Sequence, residues 1–487
     1  MYDVLIIGGG VIGCAVAHRL SEYRGHMAVV EAGPDVCQGA SRANSGIVHA
    51  GFDAVPGTEK ARLNVKGARM MQALCNALGV PYGQPGAMVL GFSEDDRASL
   101  QTLYKRALQN EVSGCRLIEG REALTMEPQL NPAVVAALHV PASGLVSPYE
   151  LTLALANAAA RREVAFLLNT RVQSIKPVAG GWALHTNREI LRTRAFVNCA
   201  GIFGGELHNQ VSSRPVRIIA RRGQYYLLDR APVLPFGMTM FQVPTAMGKG
   251  VLVSPTTHGN LLIGPTAEDI PDMTDTATTA SGLQEVLQKA ALTWPAISVQ
   301  DTITTFSGIR AHEAAGDFII GAVEGAKEGA FEAIGIESPG LSAAPAIGQE
   351  LGDWVAYAMQ LVHKPTLTPL PPAPKFFRHM SNAEKQSACE KNSDYGHIVC
   401  RCEMVTEAEV RQAIRQPVGA RNLDGVKLRT RAGMGRCQGG FCSPRILHIL
   451  CEELGLAPEQ VTKFGGASQI LVGRLQDIAK EGLRHGQ

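Results

Sequence analysis

The sequence predicts an α/β fold that opens on a doubly wound sheet, continues into a mixed-sheet layer and ends in a small separate module. Three observations carry this reading. Residues 3–31 run strand, glycine turn, helix, strand; β-branched and aromatic strand patterns return near 164–200 and over 205–325; and a proline-rich break lies at 364–375. A chain of 487 residues exceeds the roughly 250 to 300 at which a single core stops growing, so two or three domains are expected.

The elements follow in order. DVLII at 3–7 is a short buried strand, GGGVIG turns the chain into a helix over 14–20, and MAVVE is the second strand, which together make a βαβ unit. Helical periodicity recurs at 58–78 and 97–111. Between 164 and 200 the strands are VAFLL, RVQSIKPV, WALHT and AFVNCAG. GQYYLLD, GVLVSPT and NLLIGPT then alternate with turn residues, as expected of a second layer closing over a ligand. KPTLTPLPPAPK has five prolines in twelve residues and makes an extended spacer, which the polar stretch to 395 continues. No repeat of solenoid or propeller period is present.

Composition excludes several classes. With 45% apolar and 18% charged residues the chain is globular, and a formal charge of +2 gives no field to attract nucleic acid. The N-terminus has no basic region before its short apolar run, so that run is a strand rather than a signal peptide, and no transmembrane span follows. Eleven cysteines in a leaderless chain point to a reducing compartment, the cytoplasm, with thiols as ligands or core residues.

Gly8, Gly10 and Gly13 fit G-x-G-x-x-G. The first glycine makes the tight turn, the second lets backbone approach a pyrophosphate, and the third lets helix and strand close up. The helix start then faces the phosphates with its N–H groups and dipole. Glu31 ends the second strand and is placed to accept from an adenosine ribose. The competing reading is a glycine-rich turn without a ligand; the coincidence of strand, turn, helix and terminal acid favours the dinucleotide. The fingerprint alone does not separate FAD from NAD.

The residues that make the choice are GGGVIG with Glu31, SRANSGIVHAG at 41–51, FVNCAG at 196–201, SGIRAH at 307–312 and GIESPGLSAAPAIG at 335–348. Over most of 1–360 they resemble the D-amino-acid-oxidase-like group of FAD-dependent oxidoreductases. The resemblance implies a Rossmann-like FAD-binding domain with an interleaved mixed-sheet substrate domain, spanning 1–363, with the substrate part at roughly 205–325. It also implies that Ser41, Asn44, Ser45 and His49 lie near the pyrophosphate and flavin ring, that Ala200 and Gly201 line the cofactor, and that Val172 meets the adenine through its backbone. Gly340, Leu341 and Ser342 would start a helix aimed at the flavin pyrimidine, where its dipole stabilises the negative charge of the reduced ring.

Within the group, the 41–71 and 335–348 segments look most like glycerol-3-phosphate dehydrogenases and oxidases of the short type, with 2-hydroxyglutarate dehydrogenases as close relatives. Both oxidise a secondary alcohol beside an anionic group by hydride transfer to the flavin, while a base takes the hydroxyl proton. Arg310 is the candidate anion clamp, because a guanidinium fork binds phosphate or carboxylate bidentately; an ordinary ion pair is the alternative. His49 is the candidate base, against a role in packing or in bonding the cofactor. His258 and His312 are weaker candidates, and Lys249 is a further phosphate contact; for each, a solvated loop position competes. The fold also fits amine or amino-acid oxidising flavoenzymes, and an electron-transfer subunit with no small substrate is the alternative of another class.

Cys400, Cys402, Cys437 and Cys442 give C-x-C and then C-x4-C, two close thiolate pairs that folding can gather into a four-sulfur site. Spacing alone leaves a zinc site and an iron–sulfur cluster both open. Residues 396–450 resemble the bacterioferritin-associated ferredoxin-like [2Fe-2S] domain, which implies a small helical iron–sulfur module, a linker at 364–395 and an extension at 451–487. From 401 to 445 nine Lys or Arg face four Asp or Glu, a setting that stabilises an anionic cluster. Cys14, Cys37, Cys75, Cys115 and Cys199 read as core residues, and Cys389 and Cys451 have no partner at ligand spacing. The expected partners are a small anionic hydroxylated substrate and an electron-acceptor protein or quinone-linked subunit, through which peripheral membrane association would arise.

Overall fold

The computed structural model describes every residue except 232, 245–249, 371–374 and 474–487. It divides into two compact units, Met1–Ala32 with Val36–Ala373 and Gly33–Asp35 with Pro374–Gln487. No helix among the described residues is long and apolar enough to cross a membrane.

In the first unit the strand Tyr2–Ile7 buries Val4, Leu5, Ile6 and Ile7 in succession, which requires cover on both faces of its sheet. It pairs in parallel with Met27–Val30 and with Ile190–Asn198. Ala165–Leu167 and Ala330–Ile334 extend the parallel set on either side. Helices Val11–Leu20, Glu59–Leu78, Pro148–Arg161 and Gly340–Ala358 pack against one another. Val16, Leu20, Ile347 and Leu351 thereby cover Val4, Ile6 and Val197. The opposite face, Leu5, Ile7 and Val30, is closed by Ile175, Trp182 and Leu184 from the antiparallel strands Val172–Val178 and Gly181–Thr186. Period-two alternation thus splits one strand between two cores.

The first helix begins at Val11, three residues before the position expected from its pattern. Its N-cap is Gly10, which has no side chain to mark the start.

A nine-stranded second sheet runs in the order Glu268–Ile270, Ile218–Leu228, Leu261–Gly264, Leu252–Pro255, Thr239–Gln242, Ala87–Gly91, Ala136–Val140, Arg116–Glu119, with Thr302–Glu313 also paired to Ile218–Leu228. Three of these strands come from residues 87–140, well before the 205–325 stretch. They join through the parallel pairing of Ala87–Gly91 with Thr239–Gln242, a long-range contact that local pattern does not reveal. Met88 and Leu90 face a core with Val286 and Ala290 of the helix Ala280–Thr293. Ala87 and Val89 face another core, with Leu100 and Leu103 of the helix Glu94–Gln109.

The second unit carries the hairpin Ile398–Cys400 with Val405–Thr406 and the helices Asn382–Lys391, Glu407–Arg415, Leu423–Thr430 and Ser443–Leu454. The polar stretch after the prolines therefore contains a helix, started by a capping box between Ser381 and Glu384. Val405, Val410, Ile414, Val426, Ile446 and Leu450 form the core. Arg429 holds Asp35 through Nη1 at 2.6 Å and Nη2 at 2.8 Å, both side chains being buried.

Candidate functional site

The glycine turn is built as its residue types require. Gly8 has φ of 104°, and a Cβ on Gly13 would stand 2.0 Å from Gly8 O, so a side chain at residue 13 would force strand and helix apart. Ser41 Oγ accepts from Val11 N at 2.9 Å, and Glu31 Oε2 accepts from Gly9 N at 2.6 Å. Ser41 and Glu31 are thereby brought to the turn itself. Ala200 closes the other side, its Cα 3.2 Å from where a Gly8 Cβ would be, and next to it the space around the Gly201 Cα is open. Val172 begins its strand in the same apolar cluster as Ala200. A helix start, a side-chain-free turn and a carboxylate at the end of the second strand fit the ADP half of FAD.

The segment after Ser41 is held in shape by its own groups. Asn44 Oδ1 accepts from Gly46 N at 2.8 Å, and Ser45 is half-buried beside it. His49 N donates to Ser342 Oγ at 2.7 Å, which ties this segment to the buried start of Gly340–Ala358, where Gly340, Leu341 and Ser342 lie. The imidazole is buried, 5.5 Å between ring centroids from Phe241 and 6.4 Å from Phe52.

Arg310 lies on Thr302–Glu313 with Gly308 and His312 on the same face, since side chains alternate along a strand. A Cβ on Gly308 would be 2.7 Å from the Ala43 Cβ, so this face runs against the 41–46 segment and no other residue fits there. Arg310 Nη2 donates to Thr266 O at 2.5 Å. His312 Nδ1 is 2.9 Å from Glu337 Oε1, which also accepts from Lys60 Nζ at 2.6 Å. Burial pushes the Glu337 carboxyl up, but Lys60 and His312 outweigh it and hold the group below its ordinary value. Sequence reasoning missed Lys60 and Glu337. The acid just before S-P-G was a visible signal, whereas Lys60 is 277 residues away and gave none.

His258 Nε2 lies 2.7 Å from Glu150 Oε1 with both side chains largely buried, so it is not a solvated loop residue. Lys249 lies outside the described residues.

In the second unit the four cysteines converge in two pairs, each with one sulfur from each motif. Cys402 Sγ and Cys437 Sγ are 3.8 Å apart, and the thiols of Cys400 and Cys442 are hydrogen-bonded. That bond, aided by the N–H groups of Gly433 and Glu403, lowers Cys400 to about 6 and pushes Cys442 up. Backbone N–H groups of Phe441 and Gly439 lower Cys437. A four-thiol set whose sulfurs receive backbone N–H groups fits a cluster with four thiolate ligands.

Comparison with known proteins resolves what geometry leaves open. Residues 3–354 match the FAD dependent oxidoreductase family, and residues 398–452 match the BFD-like [2Fe-2S] binding domain. The chain is 42% identical over 474 residues to a glycerol 3-phosphate dehydrogenase of Caloramator mitchellensis, covering 97% of this chain and 98% of that one. It is 34% identical over 358 residues to a glycerol 3-phosphate oxidase of Mycoplasma pneumoniae, covering 72% and 93% respectively. The solved structure of dithionite-reduced L-alpha-glycerophosphate oxidase from Mycoplasma pneumoniae with FAD bound superposes with a TM-score of 0.72 at 31% identity, covering 77% of this chain and 99% of that one.

Proposed function

The chain belongs to the FAD dependent oxidoreductase family and carries a BFD-like [2Fe-2S] binding domain, and on that premise we propose that it oxidises sn-glycerol 3-phosphate to dihydroxyacetone phosphate. The observation that carries the substrate is the likeness to a glycerol 3-phosphate dehydrogenase along almost the whole of both chains. FAD and the [2Fe-2S] cluster are the cofactors.

In this reading Gly8, Gly10, Gly13, Glu31, Ser41, Asn44, Ser45, Val172, Ala200 and Gly201 hold FAD, with Gly340, Leu341 and Ser342 at the pyrimidine end. Bound there, FAD supplies the acceptor for a hydride. Arg310 binds the phosphate of the substrate and sets its orientation, since its strand face meets the 41–46 segment. His49 takes the proton of the secondary hydroxyl on a ring nitrogen, and Phe52 and Phe241 keep bulk water from it. Cys400, Cys402, Cys437 and Cys442 hold the cluster, which supplies one-electron exchange with an acceptor protein or a quinone-linked subunit. The domain reading follows the same lines: the flavoprotein half to 363, a linker to 395 and the cluster module over 396–450, with 451–487 as an extension. The setting in this reading is the cytoplasm, where thiols serve as ligands or core residues.

The test is an anaerobic titration of the purified holoprotein with glycerol 3-phosphate, L-2-hydroxyglutarate, glycine and sarcosine. Glycerol 3-phosphate alone is expected to bleach the flavin at stoichiometric addition and to yield dihydroxyacetone phosphate. Bleaching by a hydroxy acid or an amine in its place refutes the assignment.

A further inference from the structure

The four sulfurs are not equally sheltered. Cys400 and Cys442 are each 2% exposed, whereas Cys402 is exposed and Cys437 half-buried. Around this open pair stand two large apolar side chains with no core to fill: Phe441 is 87% exposed and Met404 43%. Arg401 and Arg436 directly precede the two open cysteines in the chain, Arg445 follows Cys442 by three residues, and all three are exposed. Across 400–406 and 431–445 the one carboxylate is Glu403, which is buried and bonded to Arg431 at 2.8 Å. Every exposed charge in these two loops is therefore positive.

We propose that this face docks a small acidic one-electron carrier protein, with Phe441 and Met404 entering the centre of the contact and Arg401, Arg436 and Arg445 meeting carboxylates at its rim. The proposal rests on the reading that electrons leave through the cysteine module, and it names the chemistry of their recipient. Exposed Phe, Met and Arg are the residue types enriched in protein contacts, where aromatic anchors carry most of the energy. Opposite charge speeds encounter and sets orientation. An anionic membrane is the weaker match, because polybasic lipid sites bring about 4 to 8 cationic residues together. Each encounter moves one electron: the reduced module loses it, the carrier gains it, and no proton or group is transferred. Two encounters clear one oxidised substrate molecule.

The test uses the holoprotein with native cytochrome c, which is basic, and succinylated cytochrome c, in which the lysines carry carboxylates. Dissociation constants are measured at low and high salt. Separately, protein reduced with dithionite and desalted anaerobically is mixed with each carrier, and haem reduction is followed. Tighter binding and faster reduction of the succinylated form are expected, by about tenfold at low salt, and the advantage should fade toward 0.5 M salt as charges are screened, where the Debye length has shrunk to about 4 Å. Phe441→Ala should weaken binding of the succinylated carrier several-fold and leave the cluster's paramagnetic signal unchanged, because the N–H that Phe441 donates to Cys437 is backbone. Arg436→Glu should shift preference toward native cytochrome c. Equal or tighter binding of the native carrier overturns the proposal, as does indifference to Phe441→Ala. So does binding to phosphatidylserine vesicles with no discrimination between the carriers. Because dithionite bypasses the substrate, a failure of glycerol 3-phosphate to bleach the flavin refutes the substrate assignment and leaves this result standing.

Discussion

The imidazole of His312 and the ammonium of Lys60 meet on one carboxylate oxygen, Glu337 Oε1, at 2.9 and 2.6 Å. The strand that bears Arg310 is thereby fastened to the loop that precedes the helix Gly340–Ala358.

That relationship predicts a pH-dependent stability. A carboxyl whose folded value is depressed contributes stability that is fully present above its unfolded value of 4.5 and is lost as pH falls through the lower folded value. Glu337→Gln should destabilise the protein by about 1–3 kcal/mol at pH 7, because it leaves a half-sheltered ammonium without its counter-charge. It should also flatten the acid limb of the unfolding midpoint below pH 4.5. Urea unfolding of both proteins from neutral to acid pH checks this; parallel curves count against it.

Arg310→Lys keeps the charge and loses the fork. We expect KM for glycerol 3-phosphate to rise about tenfold or more, with bound FAD retained. Steady-state kinetics beside flavin content decide it. Loss of flavin would make Arg310 structural, and unchanged kinetics would remove it from the site.

FAD should be bound without a covalent link, so acid precipitation should release it into the supernatant. Gly13→Ala should yield protein without flavin, since the added Cβ would lie 2.0 Å from Gly8 O. A yellow pellet speaks against the first expectation, and a normal flavin spectrum in the variant against the second.

Cys437→Ser should remove the iron signal while substrate still reduces the flavin, because the residues proposed to hold FAD and substrate all lie in the first unit. Turnover with the physiological acceptor should then collapse. Full turnover in the variant would show that electrons take another exit.

What was legible in the sequence was whatever chemistry is written locally. Gly8, Gly10, Gly13 and Glu31 sit within one βαβ unit, and the four cysteines fall in two short motifs, so spacing marked a nucleotide turn and a four-sulfur set, while resemblance supplied FAD and the cluster. What stayed hidden depends on contacts between distant segments. The strand Ala87–Gly91 joins the second sheet by pairing with Thr239–Gln242, and nothing in its own pattern states that partner. His258 reads as a loop histidine, yet it is bonded to Glu150 from a helix 108 residues earlier. The start of the first helix was misplaced because its cap is a glycine, which leaves no hydrogen-bonding side chain to read.

The second unit has a hydrophobic core of its own, from Val399 to Val461. A piece with its own core can be gained or shed by gene fusion as a unit. A lineage can therefore change this module while inheriting the flavoprotein half intact, and selection can tune the two on separate schedules.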